Sequence, residues 1–105
     1  MRSFKFAGNG IRLLIAHEHN AWIHCFAAGC VTIAGWLIGL SSTEWIAIVF
    51  AIAMVLAAEA VNSSIEALAD LVSPGYNEAI KRTKDLAAGA VLILAIGAAI
   101  VGLII

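Results

Sequence analysis

A chain of 105 residues with 63% hydrophobic and 12% charged positions is not a water-soluble globule, since soluble domains carry roughly 45–50% apolar and about 25% charged residues. It is too short for a large soluble enzyme core, and a net charge of −1 offers no basic surface to nucleic acid. What remains is an all-α integral membrane protein, because helices satisfy their own backbone groups in lipid.

The first twenty residues lack an uninterrupted apolar stretch and a small-x-small site, so no cleavable signal peptide is expected. Phe4, Ala7, Ile11, Leu14 and Ile15 recur at helical spacing, with Arg2, Lys5, Asn9 and Arg12 opposite them. Residues 1–20 should therefore form an amphipathic helix in the membrane surface, its cations toward lipid headgroups. Residues 21–40 contain no Asp, Glu, Lys or Arg; twenty helical residues rise about 30 Å, the thickness of the hydrocarbon core. Trp22 and Trp36 suit interfacial anchoring, and Gly35 and Gly39 have the G-x-x-x-G spacing that lets helices approach closely. His17 and His19 do not share a helix face, so these two and His24 read as interfacial imidazoles bonded to headgroups or backbone. Cys25 and Cys30 suit neither a zinc ligand set nor a disulfide framework and read as small packing residues.

Residues 41–44 form a short turn, and a second span runs over 45–72 until Ser73-Pro74-Gly75 breaks it. At about 42 Å it is longer than the bilayer core, so its second half emerges toward water. Asn77 caps a third helix over 78–105, in which Glu78 and Arg82 are spaced for a surface ion pair. Residues 86–105 are again uncharged. All six Lys and Arg lie before position 13 or between 81 and 84. The amino-terminal segment and residues 73–85 should thus face the cytoplasm, with the 41–44 turn and the carboxyl terminus outside. The chain reads as a single multi-pass membrane domain.

Chemistry concentrates in the second span. At 100° per residue, Glu59, Asn62, Glu66 and Asp70 fall within an arc of about 80°, with Ser63 beside them. If Trp45 marks the outer boundary, Glu59 lies roughly 6 Å to the cytoplasmic side of the midplane. An ionisable group at the centre of a span costs about 2.5–3.5 kcal/mol, which packing alone does not justify. Polar helix–helix packing accounts for Asn62 and Ser63 but not for three like charges on one face. Hard cations such as Mg²⁺ take carboxylate oxygens and share them with substrate phosphates. Glu18 stands before the first span, and Lys84-Asp85 precede the uncharged part of the third. Carboxylates, an amide and a lysine at one membrane face are what phosphoryl transfer requires. No Walker motif or protein-kinase signature is present.

Glu59-Ala-Val-Asn62-Ser63-Ser64-Ile65-Glu66-Ala-Leu-Ala-Asp70 followed by Lys84-Asp85-Leu-Ala-Ala-Gly-Ala-Val resembles the two-part signature of the bacterial diacylglycerol kinase/undecaprenol kinase family. Ser3-Phe4-Lys5-Phe6-Ala7…Gly10-Ile11 and Glu18-His19-Asn20…His24 fit it too, so the resemblance covers nearly the whole chain. It implies a homotrimeric bundle with active sites shared between subunits, and ATP, Mg²⁺ and a membrane lipid as co-substrate, metal and acceptor. It further implies Glu59 as general base, Glu18 and Glu66 as Mg²⁺ ligands bridging the ATP phosphates, Asn62 assisting, Lys84 on phosphate and Asp85 completing the site. Asp70 matches the motif without a clear role. Glu18-His19-Asn20…His24 is similar to the undecaprenol-kinase type, although Ala21-Trp22 departs from it, so the acceptor is undecaprenol or diacylglycerol. An ion- or proton-coupled transporter also uses membrane carboxylates, but would need outward access to one near mid-bilayer. Every acidic residue except Glu44 falls on the cytoplasmic side. A purely structural assembly subunit would tolerate alanine throughout the polar stripe.

Overall fold

A computed structural model describes residues 2–105, including all side chains but those of Arg2 and His17. The cationic-face position of Arg2, the imidazole contacts of His17 and the placement of Met1 lie outside the described residues. The described residues fold into four helices, α1 (Arg2–His17), α2 (His19–Ile38), α3 (Ser42–Val72) and α4 (Glu78–Ile104). The last three are long and apolar enough to cross a membrane.

α3 is the spine. α4 returns along it after a short turn and makes the most extensive packing, while α2 and α1 lean on other parts of α3. The result is an elongated body of 50 × 34 × 20 Å. Its core is thin: Ala21, Ile48, Val55, Ala69 and Val91 are the buried hydrophobics, whereas Trp36, Leu37, Leu71 and Leu103 project outward. Apolar surface on this scale is incompatible with a soluble monomer, but lipid-facing side chains need no burial in protein.

The α2–α3 turn shows a local use for the two glycines. Gly39 is the C-cap of α2, left-handed at φ 80, a conformation that favours glycine. The N–H groups of Gly39 and Leu40 both donate to the Gly35 carbonyl, at 2.9 and 3.3 Å. A Cβ on Gly35 would stand 2.7 Å from Leu40 Cδ1 and 3.0 Å from Trp45 Cη2. Only Gly35 therefore serves close approach, and it does so toward the turn and the start of α3; Gly39 ends the helix. α3 begins three residues before the expected Trp45, because Ser41 and Glu44 form a capping box. Ser41 Oγ accepts from the Glu44 N–H at 3.2 Å, and Glu44 Oε1 accepts from the Ser41 N–H at 2.9 Å, which satisfies two backbone donors.

At the other end, Asn77 Oδ1 accepts from the N–H groups of Ala79 and Ile80 and starts α4. The expected Glu78–Arg82 pair does not form among the described residues. Lys81 Nζ instead meets Asp85 Oδ2 at 2.8 Å, while Glu78 sits in the first turn, where the helix dipole favours a carboxylate.

Candidate active site

The period of α3 sets Glu59, Asn62, Glu66 and Asp70 along one side of a single helix, spread over about 16 Å of its axis. Their environments form a gradient. Glu59 is 2% exposed and Asn62 9%, while Glu66 and Asp70 are exposed. Asn62 Nδ2 donates to Glu66 Oε1 at 3.3 Å, joining the middle of the stripe within its own helix. Among the described residues Asn62 Oδ1 is buried without a hydrogen-bond partner. An unsatisfied buried acceptor costs about 1–3 kcal/mol, so this oxygen is set for a donor or a cation.

Glu59 has a neighbour that sequence reasoning missed. His24 reaches from α2 and places Nε2 3.1 Å from Glu59 Oε1, with its own side chain 26% exposed. The assignment of His24 to headgroups or backbone is thereby corrected: a carboxylate buried in an apolar bundle needs a polar neighbour, and His24 supplies it from another helix. The available signal was that His24 is among the few polar side chains in an otherwise uncharged span.

Lys84 Nζ lies 2.5 Å from Asp70 Oδ1, joining α4 to the exposed end of the stripe across the intervening turn. Asp70 thus has a partner on α4 in the Lys84 ammonium. Asp85 is exposed and paired with Lys81.

Glu18 occupies the N-cap position of α2, with φ −102 and ψ 111, but its side chain makes no capping hydrogen bond. It lines a small cavity with Leu14, Ala60, Ser63 and Ser64. Glu18 thus stands on the α1-facing side of α3, where Ala60, Ser63, Ser64 and Ala67 of the same cavity wall centre roughly a quarter turn from Glu59 by helical period, Ser63 itself only about 40° from it. Among the described residues no three Asp, Glu, His or Cys side chains gather closely enough to hold a metal. The donors nonetheless suit Mg²⁺, which is bound through one or two carboxylates together with substrate phosphates and water. Glu66 and Asn62 offer oxygen donors four residues apart on one helix, Glu66 Oε1 accepting from Asn62 Nδ2 and Asn62 Oδ1 unpartnered among the described residues.

A helical membrane protein with carboxylates, an amide and a lysine ranged along one face has the parts of a membrane-embedded phosphotransferase. Residues 5–105 match the prokaryotic diacylglycerol kinase family. Undecaprenol kinase of Bacillus subtilis is 38% identical over 104 residues, which cover 99% of this chain and 85% of that relative. Diacylglycerol kinase of Synechocystis sp. is 37% identical over 101 residues, 95% of this chain and 58% of that longer relative. The chain belongs to the prokaryotic diacylglycerol kinase family and is a lipid kinase.

Proposed function

We propose that this lipid kinase transfers the γ-phosphoryl group of ATP, with Mg²⁺, to the hydroxyl of undecaprenol or diacylglycerol at the cytoplasmic face of the inner membrane. The observation that carries the reading is the Glu59 carboxylate, 2% exposed in an apolar helix, at the head of a stripe that ends on Lys84. Glu59 takes the proton of the acceptor hydroxyl as its oxygen attacks the γ-phosphorus. Glu66 and Glu18 hold Mg²⁺, and Asn62 adds its free amide oxygen; the ion, when bound, neutralises charge on the phosphate oxygens. Lys84, steadied by Asp70, pairs with the phosphates, while Asp85 and Ser63 complete the polar surround.

The amphipathic face of α1 rests on the inner leaflet. Protomers associate as a homotrimer that covers the exposed faces and shares its sites between subunits. Support for shared sites comes from Glu18, which lines a cavity whose α3 wall centres roughly a quarter turn from Glu59.

Purified protein in lipid micelles, supplied with Mg²⁺ and γ-labelled ATP, should label undecaprenol or diacylglycerol. Comparing the two acceptors side by side identifies the substrate. Absence of label in both lipids would overturn the proposal.

A further inference from the structure

Beside Glu59 runs an apolar groove of about 210 Å³ between α2, α3 and α4. Ala28, Val31, Ile52, Val55 and Ala98 contribute to its wall, and His24 is the one titratable side chain there. The same imidazole stands 3.1 Å from Glu59 Oε1, and Glu59 itself is not part of the groove wall. His24 therefore lies between a space fitted to hydrocarbon and a carboxylate placed to take a proton.

We infer that His24 is a positioning residue for phosphoryl transfer, its Nε2–H group holding Glu59 Oε1 so that the other carboxylate oxygen receives the proton of an acceptor whose hydrocarbon chain lies in the groove. The inference rests on Glu59 acting as the base. A glutamate side chain has three rotatable bonds and two equivalent oxygens, so an unheld carboxylate samples several orientations. A single donor at Oε1 selects one, and fixed geometry is what a general base requires. In the transfer, the hydroxyl proton passes to Glu59 and the acceptor oxygen bonds to the γ-phosphorus. The bond between that phosphorus and the bridging oxygen breaks, and ADP leaves with the electron pair. His24 keeps its proton throughout. The apolar wall supplies no competing side-chain hydrogen-bond partner, so the headgroup hydroxyl of a chain seated there meets the His24–Glu59 pair.

The test compares His24→Gln, which retains an N–H donor, with His24→Leu, which fills similar space without one. Both are assayed with MgATP and each lipid, alongside Glu59→Gln. His24→Leu should lose about 10- to 100-fold in kcat, a share of what a positioned base contributes, with KM for MgATP little changed. His24→Gln should recover most of that loss. Binding of a non-hydrolysable ATP analogue checks folding, and His24→Ala replaces the leucine variant if the latter fails to bind. Wild-type kcat without the donor would overturn the inference, as would a glutamine variant no better than leucine, or a loss confined to KM for MgATP. Full activity in Glu59→Gln would instead remove the base reading itself, whatever the His24 variants do.

Discussion

Glu59 is the most expensive side chain in the molecule to place where it is. A carboxylate only 2% exposed in an apolar helix forfeits hydration that a 3.1 Å contact with one imidazole replaces in part. Function must offset that cost, so Glu59→Gln, which keeps shape and loses basicity, should abolish turnover yet bind a non-hydrolysable ATP analogue with near wild-type affinity. Equal loss of rate and binding, read by kinetics and calorimetry, would contradict a base role. Lys84 and Asp70 make a second case. Their 2.5 Å contact is between partly exposed groups and contributes little to stability, so its value lies in aiming the ammonium. Asp70→Asn should raise KM for MgATP several-fold, Lys84→Ala should do more, and the double variant should match Lys84→Ala, because coupled residues are not additive. An additive double variant would mean that Asp70 acts elsewhere. The stripe on α3 was readable from sequence because helical periodicity fixes which residues share a face. The partners of Glu59 and Asp70 were not, since His24 and Lys84 come from other helices and no spacing rule links them.

Helix ends here are written in backbone chemistry more than in hydropathy. Apolar runs separated by polar turns identify three long helices, yet the α2–α3 boundary is set by two residues: Gly39, whose role emerges only in three dimensions, and Ser41, whose S-x-x-E spacing to Glu44 is a capping-box pattern. Gly39 adopts φ 80, and Ser41 exchanges hydrogen bonds with Glu44. Gly35 and Gly39 have the spacing of a helix-packing motif, but a four-residue interval cannot distinguish packing from a C-cap that folds back on the preceding turn. Substituting Gly39→Ala forces a β-carbon into the left-handed region at about 1–2 kcal/mol, and Ser41→Ala removes an N-cap at about 1 kcal/mol. Both variants should unfold earlier in detergent titrations while keeping kcat once folded, because the turn lies at the opposite end of α3 from Glu66 and Asp70. A kcat loss at full stability would mean that this turn communicates with the site. Adjacent caps share one backbone, so the double variant should cost less than the sum.

Taken whole, the protomer is an open framework whose parts point in several directions. Its few buried side chains line the contacts of α3, and its large apolar residues face outward, where lipid or other copies of the chain can cover them. Glu18 faces the Ser63 side of α3 while Glu59 faces His24, so one chain need not bring both to one phosphate. If neighbouring subunits of a closed trimer divide these roles, two dead variants repair each other. Glu18→Ala and Glu59→Gln should each be inactive alone. Unfolded together, mixed in equal amounts and reassembled in micelles, they should regain activity, because some interfaces then pair an intact Glu18 with an intact Glu59. Random assembly of a cyclic trimer with heterologous interfaces puts about one quarter of the wild-type number of sites in working order. A site built within one chain yields none, since every chain in the mixture lacks one of the two carboxylates. The yield of labelled lipid against mixing ratio should therefore rise and fall with a maximum near equal amounts. A flat line at zero, with reassembly verified by cross-linking, would place both residues in the same subunit.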